Sequence, residues 1–246
     1  MNFLVCISKT PDTTTRIQFI ENNTKFNSDK VQYILNPYDE WYALVRAIEL
    51  KEQLGGKVVC VNVGGADNEP IIRKALAVGA DEAVRIDCEP NDPYQVAFQI
   101  SDFVKSNAFD IIFCGKETID YNGSEVGGMI AGMLDRPFAS LCTSLNIEGA
   151  KATMKRDISG GEETFSCNLP LVVSSAKGMA EARIPNMRGI MAARTKPLLV
   201  LPPVKQNDLT AIINYELPKE KSGCKMISAD NVEELVSLLH NEAKVI

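Results

Sequence analysis

Histidine is nearly missing from the sequence, which has a single one, His240, among its 246 residues. Hydrolytic triads and many zinc sites depend on imidazole groups, so this scarcity argues against a Ser–His–Asp triad and against a histidine-rich metal site. His240 falls in a predicted helix near the end of the chain, where we expect it on the surface.

Paired cysteines are missing as well. None of the seven cysteines stands in a CxxC pair, the arrangement typical of zinc and thiol–disulfide sites. Cys6, Cys60, Cys114 and Cys167 lie in apolar or strand-like runs, where cysteine packs as a small hydrophobic residue. We therefore predict buried free thiols and no metal site.

The sequence also lacks a net positive charge and any apolar run near the roughly 20 residues of a membrane span. Its formal net charge is −6, which argues against nucleic acid as a partner and against a polybasic membrane anchor. The first residues, MNFLVCISK, show neither the charged start nor the cleavage site of a signal peptide. We expect a cytoplasmic protein with no membrane span.

Neither common glycine-rich phosphate motif, GxxxxGK[ST] or GxGxxG, is present. The sequence does have an apolar run, DIIFC at 110–114, followed by GKETIDYNGSEVGG at 115–128 and a helical pattern. Gly115 leaves room for a close backbone approach, and Ser124 is a candidate N-cap. The N–H groups of residues 125–127 would then face an anion at the helix start. On these features alone, a helix-entry loop without a ligand is an equal alternative.

The first half of the chain alternates apolar runs with amphipathic patterns. We predict strands at 2–8, 57–63, 83–86 and 110–114, separated by helices. Apolar strands joined by helices indicate an α/β fold with a doubly wound, mostly parallel, Rossmann-like sheet. Ligands of such sheets bind beyond the carboxyl ends of the strands.

Four stretches are expected to converge at that edge: 6–12, 36–39, 63–65 and 115–128. The second reads Asn-Pro-Tyr-Asp. We predict that its asparagine is the N-cap of a long helix and its proline the first helical residue.

The second half changes to short strand patterns after residue 137. A segment at about 178–197 separates two of them, and a weakly patterned tail ends in an amphipathic helix begun by Asp230 and Glu233. We predict an α/β domain over 1–201 and a C-terminal arm over 202–246. Such an arm embraces either its own body or a partner.

Five ordered stretches carry a resemblance to a known family. They are ILNPYDEWYALVRAIELKE, IIRKALAVGADEAVRI, DIIFCGKETIDYNGSEVGGMIAG, KRDISGGEETFSCNLPLVVSSA and EARIPNMRGIMAARTKP. Over nearly its whole length the chain resembles the β subunit of electron transfer flavoproteins. The resemblance implies an adenine-nucleotide-binding version of the fold and an electron carrier that is not a catalyst by itself.

The resemblance also implies cofactors and a partner. The chain would pair with an α subunit, which its arm embraces and which holds most of a shared FAD. The β site would bind AMP as a structural nucleotide or, in electron-bifurcating members, a second FAD. The cofactor-binding residues implied are Cys6, Asn36, Pro37, Tyr38, Asp39, Val63, Gly115, Lys116, Thr118, Asp120, Asn122, Ser124, Glu125, Val126 and Gly127.

Several of these residues have two interpretations. We expect Asp120 to shape the loop by accepting N–H bonds, with direct ligand contact as the alternative. Lys116 is either a phosphate counter-charge or a solvent-facing side chain. Tyr38 either covers the edge of the α-bound flavin or packs in the first turn of its own helix. Val126 stands where AMP-binding members commonly have threonine, but YNGSEVGG matches neither the AMP nor the FAD pattern, so the nucleotide stays open.

The segment 178–197 resembles the family's partner-recognition loop. The resemblance implies docking to acyl-CoA or other flavin dehydrogenases, with electrons passed on to an oxidoreductase or quinone chain. Met187 would be the hydrophobic anchor, and its alternative is an ordinary core residue. The partner-binding residues implied are Arg183, Met187, Arg188, Ile190 and Met191. A stand-alone adenine-nucleotide module of the stress-protein kind is the rival function, but it needs neither this loop nor the arm.

Overall fold

The structure is a computed structural model that describes residues 1–220 and 223–246. Its α-helices are α1 (Asp39–Leu54), α2 (Glu69–Val78), α3 (Pro93–Lys105), α4 (Val126–Leu134), α5 (Met187–Ala193) and α6 (Val232–Ser237); a 3-10 turn spans Ala66–Asn68 and a π-helical turn spans Leu238–Ala243. Its strands are β1 (Asn2–Cys6), β2 (Lys9–Pro11), β3 (Phe19–Ile20), β4 (Lys25–Phe26), β5 (Tyr33–Leu35), β6 (Lys57–Val63), β7 (Glu82–Ile86), β8 (Ile111–Gly115), β9 (Phe138–Glu148), β10 (Lys151–Ile158), β11 (Gly161–Asn168), β12 (Leu171–Ser175) and β13 (Leu198–Leu201).

A nine-stranded sheet forms the centre of the molecule, in the order β11-β10-β9-β12-β8-β1-β6-β7-β13. All pairings from β9 through to β13 are parallel, whereas β9, β10 and β11 pair antiparallel. Strand β1 lies inside the sheet, and later strands lie on both sides of it. Parallel neighbours need crossover connections, which are usually helices. This confirms the predicted doubly wound, mostly parallel α/β fold.

The two faces of the sheet are covered by different helices. In β1, Phe3 and Val5 point to the face packed by α1 and α2, while Leu4 and Cys6 point to the face packed by α3 and α4. Successive side chains of a strand alternate between faces, so each buried parallel strand must be apolar on both. This explains why the predicted strands are nearly continuous apolar runs.

The cysteine prediction holds for most of the chain. All seven cysteines are free thiols, and Cys6, Cys60 and Cys114 are buried in the sheet. Cys167 is only half-buried, contrary to the expectation, because it lies on β11 at the edge of the sheet.

The arm first folds back over its own body. Gln99 of α3 holds Val204 by two hydrogen bonds, one to its carbonyl (2.6 Å) and one from its N–H (2.9 Å). Asp92, which caps α3, also accepts the N–H groups of Leu209 (2.6 Å) and Thr210 (3.0 Å). The early part of the predicted arm is therefore tied to α3.

The later arm is open to solvent. Helix α6 begins after Asn231, whose side chain accepts the N–H of Glu234 at 3.3 Å, and not at Asp230 as predicted. It buries none of its residues. Positions 221 and 222 of the arm lie outside the described residues. Across the described ranges, no helix has the length and apolar character needed to traverse a bilayer.

Candidate functional site

The carboxyl ends of three adjacent strands define the candidate site. They are those of β8, β1 and β6, which end at Gly115, Cys6 and Val63. Cys6 and Val63 are buried, so they offer the site main-chain groups and little side-chain surface. Three of the four stretches predicted to converge at this edge, 6–12, 63–65 and 115–128, therefore leave the central sheet side by side.

Asn36 connects the loops at this edge. It is fully buried, its Nδ2 donates to the carbonyl of Glu117 at 3.0 Å, and its Oδ1 accepts the N–H of Ile119 at 3.1 Å. Its own N–H donates to the carbonyl of Ser8 at 3.0 Å. The predicted N-cap role of Asn36 is wrong, because its amide is already used by the loop after β8.

The long helix begins later than predicted for the same reason. Helix α1 starts at Asp39, and Tyr38 occupies its N-cap position with a φ of 63° and no capping side chain. Pro37 therefore precedes the helix and is not its first residue. The Tyr38 side chain is 60% exposed, so it does not pack within its own first turn and is available on the surface.

We refer to residues 115–125 as the β8 loop. Asn122 and Ser124 adopt left-handed φ angles of 50° and 54°, a conformation that is costly for residues other than glycine. The N–H of Asn122 donates to the carbonyl of Thr118 at 2.9 Å. Asp120 Oδ1 accepts the N–H of Tyr121 at 3.0 Å, which is the geometry expected of a loop-shaping carboxylate.

Helix α4 starts directly after this loop. Its N-cap is Glu125, with no capping side chain, so the proposed cap Ser124 is wrong. Ser124 instead lies 3.5 Å from Glu117 Oε2, since its left-handed backbone turns it away from the helix. The first-turn N–H groups of α4 are therefore free of side-chain caps, and they carry the partial positive charge of the helix terminus.

Gly127 lets α4 lie close to the sheet. A Cβ at this position would stand 3.0 Å from Phe138 Cε2 and 3.5 Å from Cys114 Cβ. Gly115 has a different neighbour from the one expected, because a Cβ there would meet Glu40 Cγ at 2.7 Å. The start of α1 therefore packs directly against Gly115.

Glu40 is a site residue that the sequence predictions missed. Its carboxyl group is buried and accepts the N–H (2.6 Å) and the hydroxyl (2.7 Å) of Ser8. Burial raises the pKa of Glu40 to about 8, despite the opposing hydrogen bonds. A signal was available: Glu40 precedes Ala43, Leu44 and Ala47 at i+3, i+4 and i+7, which places it on the buried face of α1.

The charge at this edge is mainly negative. Burial raises the pKa of Asp39, and the nearby Lys116 opposes that rise. Lys116 itself pairs with Glu117 at 2.8 Å, so its charge is already balanced. A phosphate at this edge would therefore depend on main-chain N–H groups, chiefly those at the start of α4.

Three buried polar atoms follow the strand ends without a hydrogen-bond partner in the described structure. They are Thr10 Oγ1, Asn68 Oδ1 and Ser175 Oγ. Ser175 ends β12 and pairs in register with Gly115. Buried polar groups are nearly always hydrogen-bonded, so such a group calls for an additional partner.

A second candidate surface is the segment 178–197, which we call the α5 loop. Arg73 of α2 donates to the carbonyls of Ala193 (3.0 Å) and Lys196 (2.8 Å). On the other side, Trp41 Nε1 donates to the carbonyl of Arg183 (3.3 Å), and the Arg183 guanidinium pairs with both carboxylate oxygens of Glu52. The loop is therefore braced against α1 and α2.

The α5 loop presents apolar side chains to solvent. Met187 is 73% exposed, which excludes its alternative role as a core residue. Ile184, Ile190 and Met191 are exposed beside it. Of the two predicted partner-binding arginines, Arg183 already forms an ion pair with Glu52, whereas Arg188 is exposed.

Known proteins resemble this chain along its whole length. A sequence model of the family described as "Electron transfer flavoprotein domain" matches residues 24–205. A protein named electron transfer flavoprotein subunit beta from Bacillus subtilis (strain 168) is 37% identical over 260 residues, covering 100% of each chain. Proteins of that name from Syntrophomonas wolfei and Homo sapiens are 32% and 30% identical, covering 100% of this chain and 98% and 99% of their own.

Proposed function

The chain belongs to the electron transfer flavoprotein family, with subunit beta proteins as its relatives, and we propose that it is the β subunit of a heterodimeric electron carrier. Its partner is an α-type subunit, and FAD shared between the two supplies the electron-transfer chemistry when bound. The chain itself orients and encloses the cofactor and is not a catalyst alone.

The observation that carries the nucleotide part of this proposal is the edge built from β8, β1 and β6. It combines uncapped N–H groups at the start of α4 with the unpartnered buried atoms of Thr10, Asn68 and Ser175. A nucleotide has both an anionic phosphate and several hydrogen-bonding groups, so its chemistry suits both features.

AMP is the nucleotide we propose for this site. The phosphate would lie at residues 124–127, with the adenine near the main chain of Cys6 and Val63. The start of α1, including Asn36, Pro37 and Asp39, would complete the wall. Because Lys116 is paired with Glu117, we propose no direct ion pair between Lys116 and the phosphate.

A second FAD is the alternative ligand, and Val126 favours it because threonine is common there in AMP-binding members. Val126 is half-buried in the first turn of α4, where its side chain would contact a ligand at the helix start. In this case the same loop would hold the pyrophosphate, and the complex would be of the bifurcating type.

The α5 loop is the proposed docking site for a flavin dehydrogenase. Met187, Ile190 and Met191 provide an apolar surface, and Arg188 provides a positive charge for an acidic rim. Tyr38, exposed at the start of α1, is the residue we propose beside the shared flavin. The later arm, with its exposed α6, is the proposed contact with the α subunit.

Cofactor analysis tests this function. The chain should be expressed with and without its α-type partner, and the nucleotides released by heating should be quantified. We expect the chain alone to be colourless with up to one AMP, and the complex to be yellow with one FAD. If the chain expressed alone holds stoichiometric FAD, the β site binds FAD and not AMP. A chain that holds no adenine nucleotide in either form would contradict the nucleotide proposal.

A further inference from the structure

A chain of hydrogen bonds joins three loops at the candidate nucleotide edge. It begins at Glu40 in the first turn of α1. Oε2 of Glu40 accepts the N–H of Ser8 at 2.6 Å, and Oε1 accepts the Ser8 hydroxyl at 2.7 Å. Ser8 lies between β1 and β2, so Glu40 holds the loop that leaves β1.

Ser8 is bonded in turn to Asn36, which holds the β8 loop. The carbonyl of Ser8 accepts the N–H of Asn36 at 3.0 Å. The Asn36 side chain then donates to the carbonyl of Glu117 at 3.0 Å and accepts the N–H of Ile119 at 3.1 Å. Glu40 is therefore connected to the β8 loop through two residues, each hydrogen-bonded to the next.

Glu40 also packs against the base of the β8 loop. A Cβ on Gly115 would stand 2.7 Å from Glu40 Cγ and 3.0 Å from the Glu40 backbone nitrogen, so only glycine permits this close approach. The β8 loop is thus held at its first residue by direct packing and two to four residues later through Ser8 and Asn36.

The charge around Glu40 is unusual for a buried carboxyl group. Glu40 is 5% exposed and forms no ion pair with any residue that the structure describes. Its charged neighbours Asp39 and Asp120 are also acidic, and burial, the largest cause, raises its pKa to about 8. At pH 7 the group is therefore mostly a neutral acid, which adds little negative charge to an edge that is to receive a phosphate.

We propose that Glu40 is a positioning residue for the nucleotide site: through Ser8 and Asn36, it holds the β8 loop in the conformation that receives the adenine nucleotide. This inference rests on the proposed function and deepens it, because it adds a residue of α1 that supports the ligand-binding loop from beneath. The outer half of that loop includes the left-handed Asn122 and Ser124, a conformation that persists only when the surrounding structure holds it.

Three variants at this contact test the inference. Glu40→Ala removes both acceptor oxygens, and Ser8→Ala, the milder variant, removes only the hydroxyl half of the contact. Glu40→Gln is the conservative rescue, because its amide is neutral and offers one oxygen to the Ser8 N–H and one N–H group to the Ser8 hydroxyl. Ile48→Ala, at a buried position of the same helix, is the control for general destabilisation.

Two measurements are made on the full-length heterodimer stripped of nucleotide at pH 7. The first is calorimetric titration with AMP, or with FAD if the cofactor analysis finds FAD in the β site. The second is amide hydrogen exchange of Ser8, Asn36 and Ile119 without nucleotide, which reports whether the loops are held before any ligand binds.

We expect Glu40→Ala to bind the nucleotide about 10-fold more weakly or worse, because it leaves the Ser8 N–H without its acceptor. Ser8→Ala should lose about 5-fold, the usual effect of one hydrogen bond. Both should exchange faster at Ile119, the far end of the chain of bonds. Glu40→Gln should recover most of the affinity and the slow exchange. Ile48→Ala should lower the melting temperature while the folded complex keeps its affinity.

The outcomes separate this inference from the proposed function. Wild-type affinity and wild-type exchange at Ile119 in Glu40→Ala would overturn the positioning role and leave the nucleotide site intact. If Glu40→Ala does not fold, the same result in Ser8→Ala overturns it. An equal loss of affinity in Ile48→Ala would also overturn it, since the effect would then follow from general destabilisation. A wild-type complex that binds neither AMP nor FAD in the β subunit would overturn the proposed function as well.

Discussion

The β8 loop and the α5 loop are built in opposite ways. The β8 loop is anchored through one buried amide, Asn36, and its outer half is exposed and strained. The α5 loop is braced on both sides by Arg73 and Trp41, yet it exposes Met187 and Ile184.

The difference indicates what each loop contacts. A loop that leaves main-chain N–H groups uncapped beside unpartnered buried atoms is suited to a small polar ligand. A rigid loop that exposes apolar side chains is suited to a protein surface, because binding then orders little additional structure. Each of the following predictions tests one side of this contrast, from the largest expected effect to the smallest.

The largest effect should be the pH dependence caused by Glu40 beneath the β8 loop. Its pKa is about 8 in the folded chain, against 4.5 as the ordinary value. The folded state therefore keeps a proton that the unfolded chain has released. This stability is fully present below pH 4.5 and is lost as the pH rises to about 8, with an upper limit of about 5 kcal/mol.

Glu40→Gln should remove that dependence. Urea unfolding between pH 5 and pH 8 should show a smaller decline in the free energy of unfolding than in the wild type. Glu148→Gln, at an exposed position, is the control and should keep the wild-type slope. Equal slopes in all three proteins would show that Glu40 is ionised in the folded state throughout this range.

Gly127→Leu should disrupt the start of α4. Since even a Cβ would stand 3.0 Å from Phe138, a larger side chain should destabilise the fold by about 1–3 kcal/mol and remove bound nucleotide. Gly132→Leu, in the same helix with open space around it, is the matched control. Unchanged nucleotide content in the Gly127→Leu complex would contradict the role of the β8 loop.

Met187→Ala should affect only the external contact of the α5 loop. Loss of a hydrophobic anchor typically costs about 2 kcal/mol, so dehydrogenase-coupled reduction should slow roughly 10-fold or more. The melting temperature and the flavin spectrum should stay unchanged. Ile158→Ala, which removes a 50% exposed side chain of β10, should leave the rate as it is. Wild-type turnover in Met187→Ala would exclude the anchor.

Arg183→Gln should have the smallest effect. Its ion pair with Glu52 is partly exposed, and such pairs contribute about 0.2–1 kcal/mol. Because Arg73 and Trp41 still brace the α5 loop, the rate with the dehydrogenase should change by no more than about 5-fold. A loss as large as that of Met187→Ala would mean that Arg183 itself meets the partner.

Some local predictions were wrong where a tertiary contact competes with a local rule. Asn-Pro after β5 has the pattern of a helix start, but the Asn36 amide is used by Glu117 and Ile119, more than 80 residues away in sequence. Ser124 precedes a helix as a cap would, yet its left-handed backbone turns it away. Local patterns carry no information about such distant partners.

The sequence by itself determined the parallel α/β sheet and the edge at which its loops meet. Apolar periodicity fixes which residues are buried, and right-handed crossovers then place the strand ends together. Only the tertiary structure decided that Glu40 packs against Gly115 and that Met187 is exposed. These two features depend on contacts between segments far apart in the chain, whose energies become available only once the whole sheet has brought those segments together.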